Sequence, residues 1–169
     1  MSDLRLTPTS YIVLGMLDIC GEATPYELKA FAAQGVGNFW TLQHAQLYTE
    51  TARLAEADYL DEEREESGRR RKRYRMTDRG RAALREWTDA PTDQFTELRD
   101  LALLKLFFGG DPAKLAEVQL EIHRTRLEEY EALQEEAAGL PQSGPGLTLE
   151  AGLGHEREWV RFWERLAKG

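Results

Sequence analysis

Arg69-Arg70-Arg71-Lys72-Arg73-Tyr74-Arg75 sets six cations in seven positions, directly after Ser67-Gly68 and directly before Thr77. Guanidinium and ammonium groups at this density are suited to phosphate oxygens. The 169-residue chain carries a net charge of −8, so the run stands against the overall balance. A second set precedes it. Gln43, His44, Gln46, Tyr48 and Thr49 fall within two turns of a predicted helix. Gln and His side chains can donate and accept at base edges, while Tyr and Thr hydroxyls can donate to phosphate. Together the two sets point to double-stranded DNA as a partner.

Each set also has a plainer reading. With Ser67-Gly68 as the turn, Glu66 faces Arg69, Glu65 faces Arg70, Glu63 faces Lys72 and Glu62 faces Arg73. Residues 61–75 hold seven cations and five anions, so cross-strand ion pairs could absorb much of the charge. Arg69, Arg70 and Arg71, nearest the tip, are then the better phosphate ligands, and Lys72, Arg73 and Arg75 the ones neutralised in the fold. The Gln/His/Thr face alone is what any solvated helix shows; its weight comes from the hairpin that follows. Trp40, Trp159 and Trp163 are candidates for an aromatic wall receiving a small, planar, aromatic or drug-like effector. Their ordinary use is core and interface packing.

The elements that must position these residues follow from local signals. Ser10 to Cys20 is an apolar helix ended by Gly21. Thr24-Pro25-Tyr26-Glu27 combines a capping box with proline at the first helical position and starts a helix running to about Ala33. A third helix fits Leu42 to Ala57, with Leu47, Thr51 and Leu54 as its buried stripe. Asp58 can close it in a left-handed conformation. Tyr59–Glu66 and Arg69–Met76 read as two strands, with Lys72, Tyr74 and Met76 on one face. Thr77 caps a fourth helix through about Thr88, and Ala90 to Asp93 is a linker. The rest reads as helical: Glu97 to Phe108, apolar nearly all round and expected to be buried all round; Ala113 to Ala138, started by Asp111-Pro112; a loop at 139–146; and Leu149 to Leu166.

Composition bounds the alternatives. Residues 1–90 hold 13 Lys/Arg against 15 Asp/Glu, and residues 91–169 hold 9 against 15, which places a DNA-facing surface in the first half. No apolar run reaches the roughly 18 residues of a membrane span, and Met1 to Pro8 has no secretion signal. The lone Cys20 fits a reducing cytoplasm and a core role. His44, His123 and His155 lack metal-type spacing, no phosphate-cradling glycine loop is present, and no catalytic set can be assembled. No cofactor and no enzymatic activity are expected.

Helix, helix, helix, basic hairpin, helix is the order of a winged helix-turn-helix. At this point the chain resembles the PadR family of transcriptional regulators, in the form with a larger helical C-terminal domain. The resemblance rests on Tyr26-Glu27-Leu28, Gln46-Leu47-Tyr48, Arg53-Leu54, the run Arg73 to Gly80, Leu98-Arg99-Asp100 through Leu106-Phe107-Phe108, and Glu158-Trp159. It covers the chain from Ser10 onward. Pro25, Thr51 and Asp58 stand where the family usually has glycine, leucine and glycine. The resemblance implies a mainly α fold with a two-stranded wing, a winged-helix DNA-binding domain at 1–90 and a helical dimerisation and effector domain at 91–169. It further implies a cytoplasmic, ligand-responsive repressor, acting as a homodimer on a palindromic operator, with Tyr48 on the DNA backbone. The competing reading is a protein-interaction adaptor that keeps the winged helix without DNA binding.

Overall fold

A computed structural model describes residues 4–64, 71–136 and 144–168. The described chain forms two compact units, Met1–Gln94 and Phe95–Gly169. Helix α1 spans Pro8–Cys20, β1 Glu22–Ala23, α2 Pro25–Gln34, a 3-10 turn Val36–Asn38, α3 His44–Glu56, β2 Leu60–Arg64, β3 Lys72–Met76 and α4 Asp78–Asp89. The second unit holds α5 Leu101–Phe107, α6 Pro112–Glu136 and α7 Gly144–Ala167.

Caps set the helix starts in the first unit. Thr7 and Ser10 exchange side-chain and backbone hydrogen bonds at the head of α1. Thr24 and Glu27 do the same at α2, with Thr24 N donating to Glu27 Oε2 at 2.7 Å. That backbone bond is the main reason the Glu27 carboxyl lies below its ordinary pKa. Asp58 takes φ 62° after α3, and Tyr59 N donates back to Leu54 O at 2.9 Å, closing the helix in a left-handed turn. Thr77 caps α4.

The sheet is antiparallel in the order β1-β3-β2, one strand more than expected, because Glu22 and Ala23 pair with Arg75 and Tyr74. The hairpin register also differs. Glu62 opposes Tyr74 and Glu63 opposes Arg73, one residue from the pairing inferred with Ser67-Gly68 as the turn. The observed register sets Leu60 opposite Met76, both buried; a slip of one would turn one of the two strands' apolar residues outward. Val13, Leu14, Leu17, Leu28, Leu47 and Leu54 complete this core with Tyr74.

In the second unit α6 and α7 run antiparallel, as the pairs Arg124–Glu164 and Arg157–Glu131 require. Tyr130 lies against Gly152, where an added Cβ would stand 2.9 Å from the ring. The expected helix from Glu97, buried all round, is not what forms. Asp100 accepts from Ala102 N and Leu103 N and starts α5 at Leu101, leaving residues 91–100 without regular structure. Only the side bearing Ala102, Leu103 and Leu106 joins the core around Trp163. Phe95 is 98% exposed and Phe107 82%, with Leu101, Leu104 and Phe108 also exposed, because a two-turn helix has too little surface to bury on every side within one chain.

Gly80 is where the α4 backbone crosses the sheet most closely. A Cβ there would lie 2.4 Å from Tyr59 O and 2.7 Å from Met76 Cγ. The same carbonyl already accepts from Thr77 N and Thr77 Oγ1, so it cannot retreat. Gly80→Ala is expected to destabilise the first unit by about 1–3 kcal/mol or more despite alanine's better helix propensity. A thermal or urea midpoint at or above wild type would contradict this packing.

Candidate nucleic-acid interface

Helix α3 presents three longitudinal sides. Leu47, Thr51 and Leu54 face inward and are buried, and the Thr51 hydroxyl is satisfied by the carbonyls of Leu47 and Tyr48 at 3.0 Å each. The threonine in place of leucine is therefore accommodated without an orphan polar group. Gln46, Thr49, Glu50 and Arg53 recur at i, i+3, i+4 and i+7 and form one flank. Tyr48 lies on the other, 49% exposed. Gln43, Gln46, Tyr48 and Thr49 are all exposed, in the first two turns of the helix. Gln43 N reaches Gln46 Oε1 at 3.4 Å, a long contact that leaves the Gln46 amide donors unspent. The His44 side chain lies outside the described residues.

On the wing, Arg69 and Arg70 lie outside the described residues. Arg71 is exposed and forms no ion pair among the described residues. Lys72 and Arg73 are engaged within the fold. Lys72 Nζ donates to Glu62 Oε2 at 2.9 Å, and Glu62 also accepts from Arg64 and from the Tyr74 hydroxyl. The Lys72 hydrogen bond leads the causes that hold the Glu62 carboxyl below its usual range. Arg73 lies 3.2 Å from Glu22 and 3.8 Å from Glu27, the nearer contact lacking hydrogen-bond alignment. Of the described cations in the run, Arg71 and Arg75 remain exposed.

A polar cluster that sequence reasoning missed holds α3 to α1. Arg53 Nε and Nη2 reach the two Glu50 oxygens at 2.9 and 2.6 Å, Nη2 also meets Ser10 Oγ at 3.0 Å, and Nη1 meets the Arg5 carbonyl at 3.2 Å. Ser10 donates to Glu50 in turn. Burial alone would raise the Glu50 pKa, but the hydrogen bonds from Arg53 and Ser10 outweigh it and hold the carboxyl below its ordinary range. The i, i+3 spacing of Glu50 and Arg53 is a visible signal; their link to Ser10, forty residues away, is not.

Two of the three tryptophans gather: Trp159 and Trp163 stack in the second unit, with ring centroids 6.4 Å apart. Trp40, partly exposed, belongs to the first. Trp163 is 0% exposed and is the largest side chain in the core of the second, so its faces are covered already. Trp159 stacks on His123 at 5.5 Å and donates to His155 at 2.6 Å.

A winged helix that keeps the polar side of its third helix exposed has close counterparts among known proteins. The model for the "Transcriptional regulator PadR-like family" matches residues 13–86, and that for "Virulence activator alpha C-term" matches residues 98–168. Residues 13–86 therefore belong to the PadR-like family of transcriptional regulators. The negative transcriptional regulator PadR of Bacillus subtilis (strain 168) is 25% identical over 171 residues, 92% of this chain and 93% of that one. The crystal structure of Bacillus subtilis PadR in complex with operator DNA superposes with a TM-score of 0.84, at 23% identity over 98% of each chain. The same protein in complex with p-coumaric acid gives 0.75, at 21% identity over 96% of this chain and 97% of that one. PadR-like proteins are regulators, not enzymes. No described helix is long and apolar enough to cross a membrane.

Because the folded-state pKa of Glu50 is lowered, its pairing stabilises the fold fully above about pH 5 and loses that contribution as pH falls through the lower folded value. Glu50→Gln is expected to cost about 1–2 kcal/mol at pH 7, and the gap to wild type should narrow on acidification to about pH 3. Urea unfolding at the two pH values checks this; a gap independent of pH would remove the charge from the account.

Proposed function

We propose that this chain is a repressor that binds a palindromic operator as a homodimer and releases it when a small aromatic effector binds. Each subunit sets α3 in the major groove, with Gln43, His44, Gln46 and Thr49 toward base edges and Tyr48 on the backbone, while the wing tip at Arg69, Arg70 and Arg71 takes neighbouring phosphates. The observation that carries this reading is the division of α3 into a buried stripe and an exposed polar face beside an exposed wing cation. Lys72 and Arg73, paired with carboxylates, serve the wing's shape more than its charge.

Dimerisation through the second unit is supported by its exposed apolar side chains: Phe107 and Phe108 at the end of α5, Val118 and Ile122 one turn apart on α6. A chain exposing aromatics at this density is suited to burying them against a second copy. The effector class follows the phenolic acid bound by the Bacillus subtilis relative, with Trp40 and Trp159 as the aromatic side chains to test. As a DNA-bound regulator the protein acts in the cytoplasm.

Binding to duplex DNA from its own promoter region, followed against salt, tests the reading. Arg71→Ala should weaken binding and lower the log–log salt slope by about one for each phosphate it ceases to neutralise. Tyr48→Phe should weaken it by about two- to tenfold, the loss of one hydrogen bond worth about 0.5–1.5 kcal/mol. Wild-type protein that fails to bind at low salt would refute the proposal. Phe107→Asp is expected to split the dimer in light scattering at micromolar concentration and to weaken DNA binding; a wild-type monomer would remove the homodimer.

A further inference from the structure

We propose that Arg5, in the segment before α1, is an additional contact to the DNA backbone, and that Arg53 is the positioning residue that holds it there. The proposal rests on the DNA-reading face given above. The segment Leu4–Leu6 alternates: Leu4 and Leu6 pack on the core of the first unit and Arg5 points outward, exposed. Its backbone is tethered, because Arg53 Nη1 donates to the Arg5 carbonyl at 3.2 Å. The Arg53 guanidinium has five N–H donors and places four, on Glu50 twice, Ser10 and Arg5. Such a fork fixes the segment along one flank of α3, the flank of Gln46, Thr49, Glu50 and Arg53.

Charge and shape then select the partner. The Arg5 side chain forms no ion pair among the described residues, whereas Glu50, the acid on this flank, is buried and neutralised by Arg53. Two residues on from Arg5, at Thr7, the start of α1 and the start of α3 enclose an open groove of about 290 Å³ lined by Thr7, Thr9, Ala45, Gln46, Thr49 and Glu50. Two of these, Gln46 and Thr49, belong to the reading face itself. A helix seated in the major groove has a phosphate strand along each side; Tyr48 faces one, and Arg5 stands on the side of the other.

The experiment is fluorescence anisotropy of the full-length protein on labelled promoter duplex and on a random duplex, across a series of KCl concentrations. Arg5→Ala trims an exposed side chain. It should weaken binding to both duplexes alike and lower the salt slope by about one per subunit engaged, and Arg5→Lys should restore most of the slope. Arg53→Lys, which cannot fork, should reproduce the lowered slope, and adding Arg5→Ala to it should change little more, with thermal unfolding run alongside to confirm that the variant is folded. An Arg5→Ala protein with the wild-type slope overturns the inference while leaving the DNA-binding reading intact. Strictly additive effects of the two substitutions overturn the positioning role of Arg53. Wild-type protein that binds neither duplex refutes the underlying reading and this inference with it.

Discussion

Burial of Leu47, Thr51 and Leu54 sets the rotation of α3 about its own axis, and every other property of the reading face depends on that angle. Successive residues on a helix are about 100° apart, so turning α3 by one position would carry Tyr48 toward the core and Leu47 into water. Each fully buried leucine resists this by about 1.5–3 kcal/mol. The Ser10–Glu50–Arg53 cluster adds what apolar packing cannot, a directional constraint. Packing decides which side of α3 is inside; the fork of hydrogen bonds holds its flank against α1.

The wing follows a related logic. Its cations are numerous, but a short β-hairpin needs its own stabilisation. Glu62 draws in Lys72, Arg64 and Tyr74, while Glu22 and Glu27 lie against Arg73. Glu27 also caps α2, so one carboxylate ties the start of that helix to the sheet. The pairs are partly exposed, and each contributes modestly to stability. Their larger effect is on shape: they hold the hairpin and, in the function proposed, leave a smaller set of arginines, Arg71 among them, to face a polyanion. The acidic total of the chain and a cationic local surface are thereby compatible.

Much of this is legible in the sequence because it is local. Thr24-Pro25-Tyr26-Glu27 and Asp111-Pro112 carry their helix starts within four residues, and Leu47, Thr51 and Leu54 declare a face by spacing alone. Asp58 reads as a left-handed closure for the same reason. What is not legible depends on contacts between distant segments. A two-residue strand at Glu22 has no periodicity to detect, and it exists because β3 offers it an edge. Turn chemistry at Ser67-Gly68 puts the hairpin register one residue off, since the opposition of Leu60 to Met76 outweighs it. Composition assigns the apolar residues between 97 and 108 to a monomer core, because it cannot distinguish a surface that packs on its own chain from one left open to another. Trp163 qualifies as a ligand wall by its type, and the structure gives it the core of its unit instead.

The function we propose has two copies of α3 reading one duplex from the same side, one helical turn apart. Hydroxyl-radical footprinting on the protein's own promoter region measures this directly. Two protected patches on each strand, separated by about 10 base pairs or roughly 34 Å, are the expected result. A single patch, or even protection that follows no helical period, would contradict it.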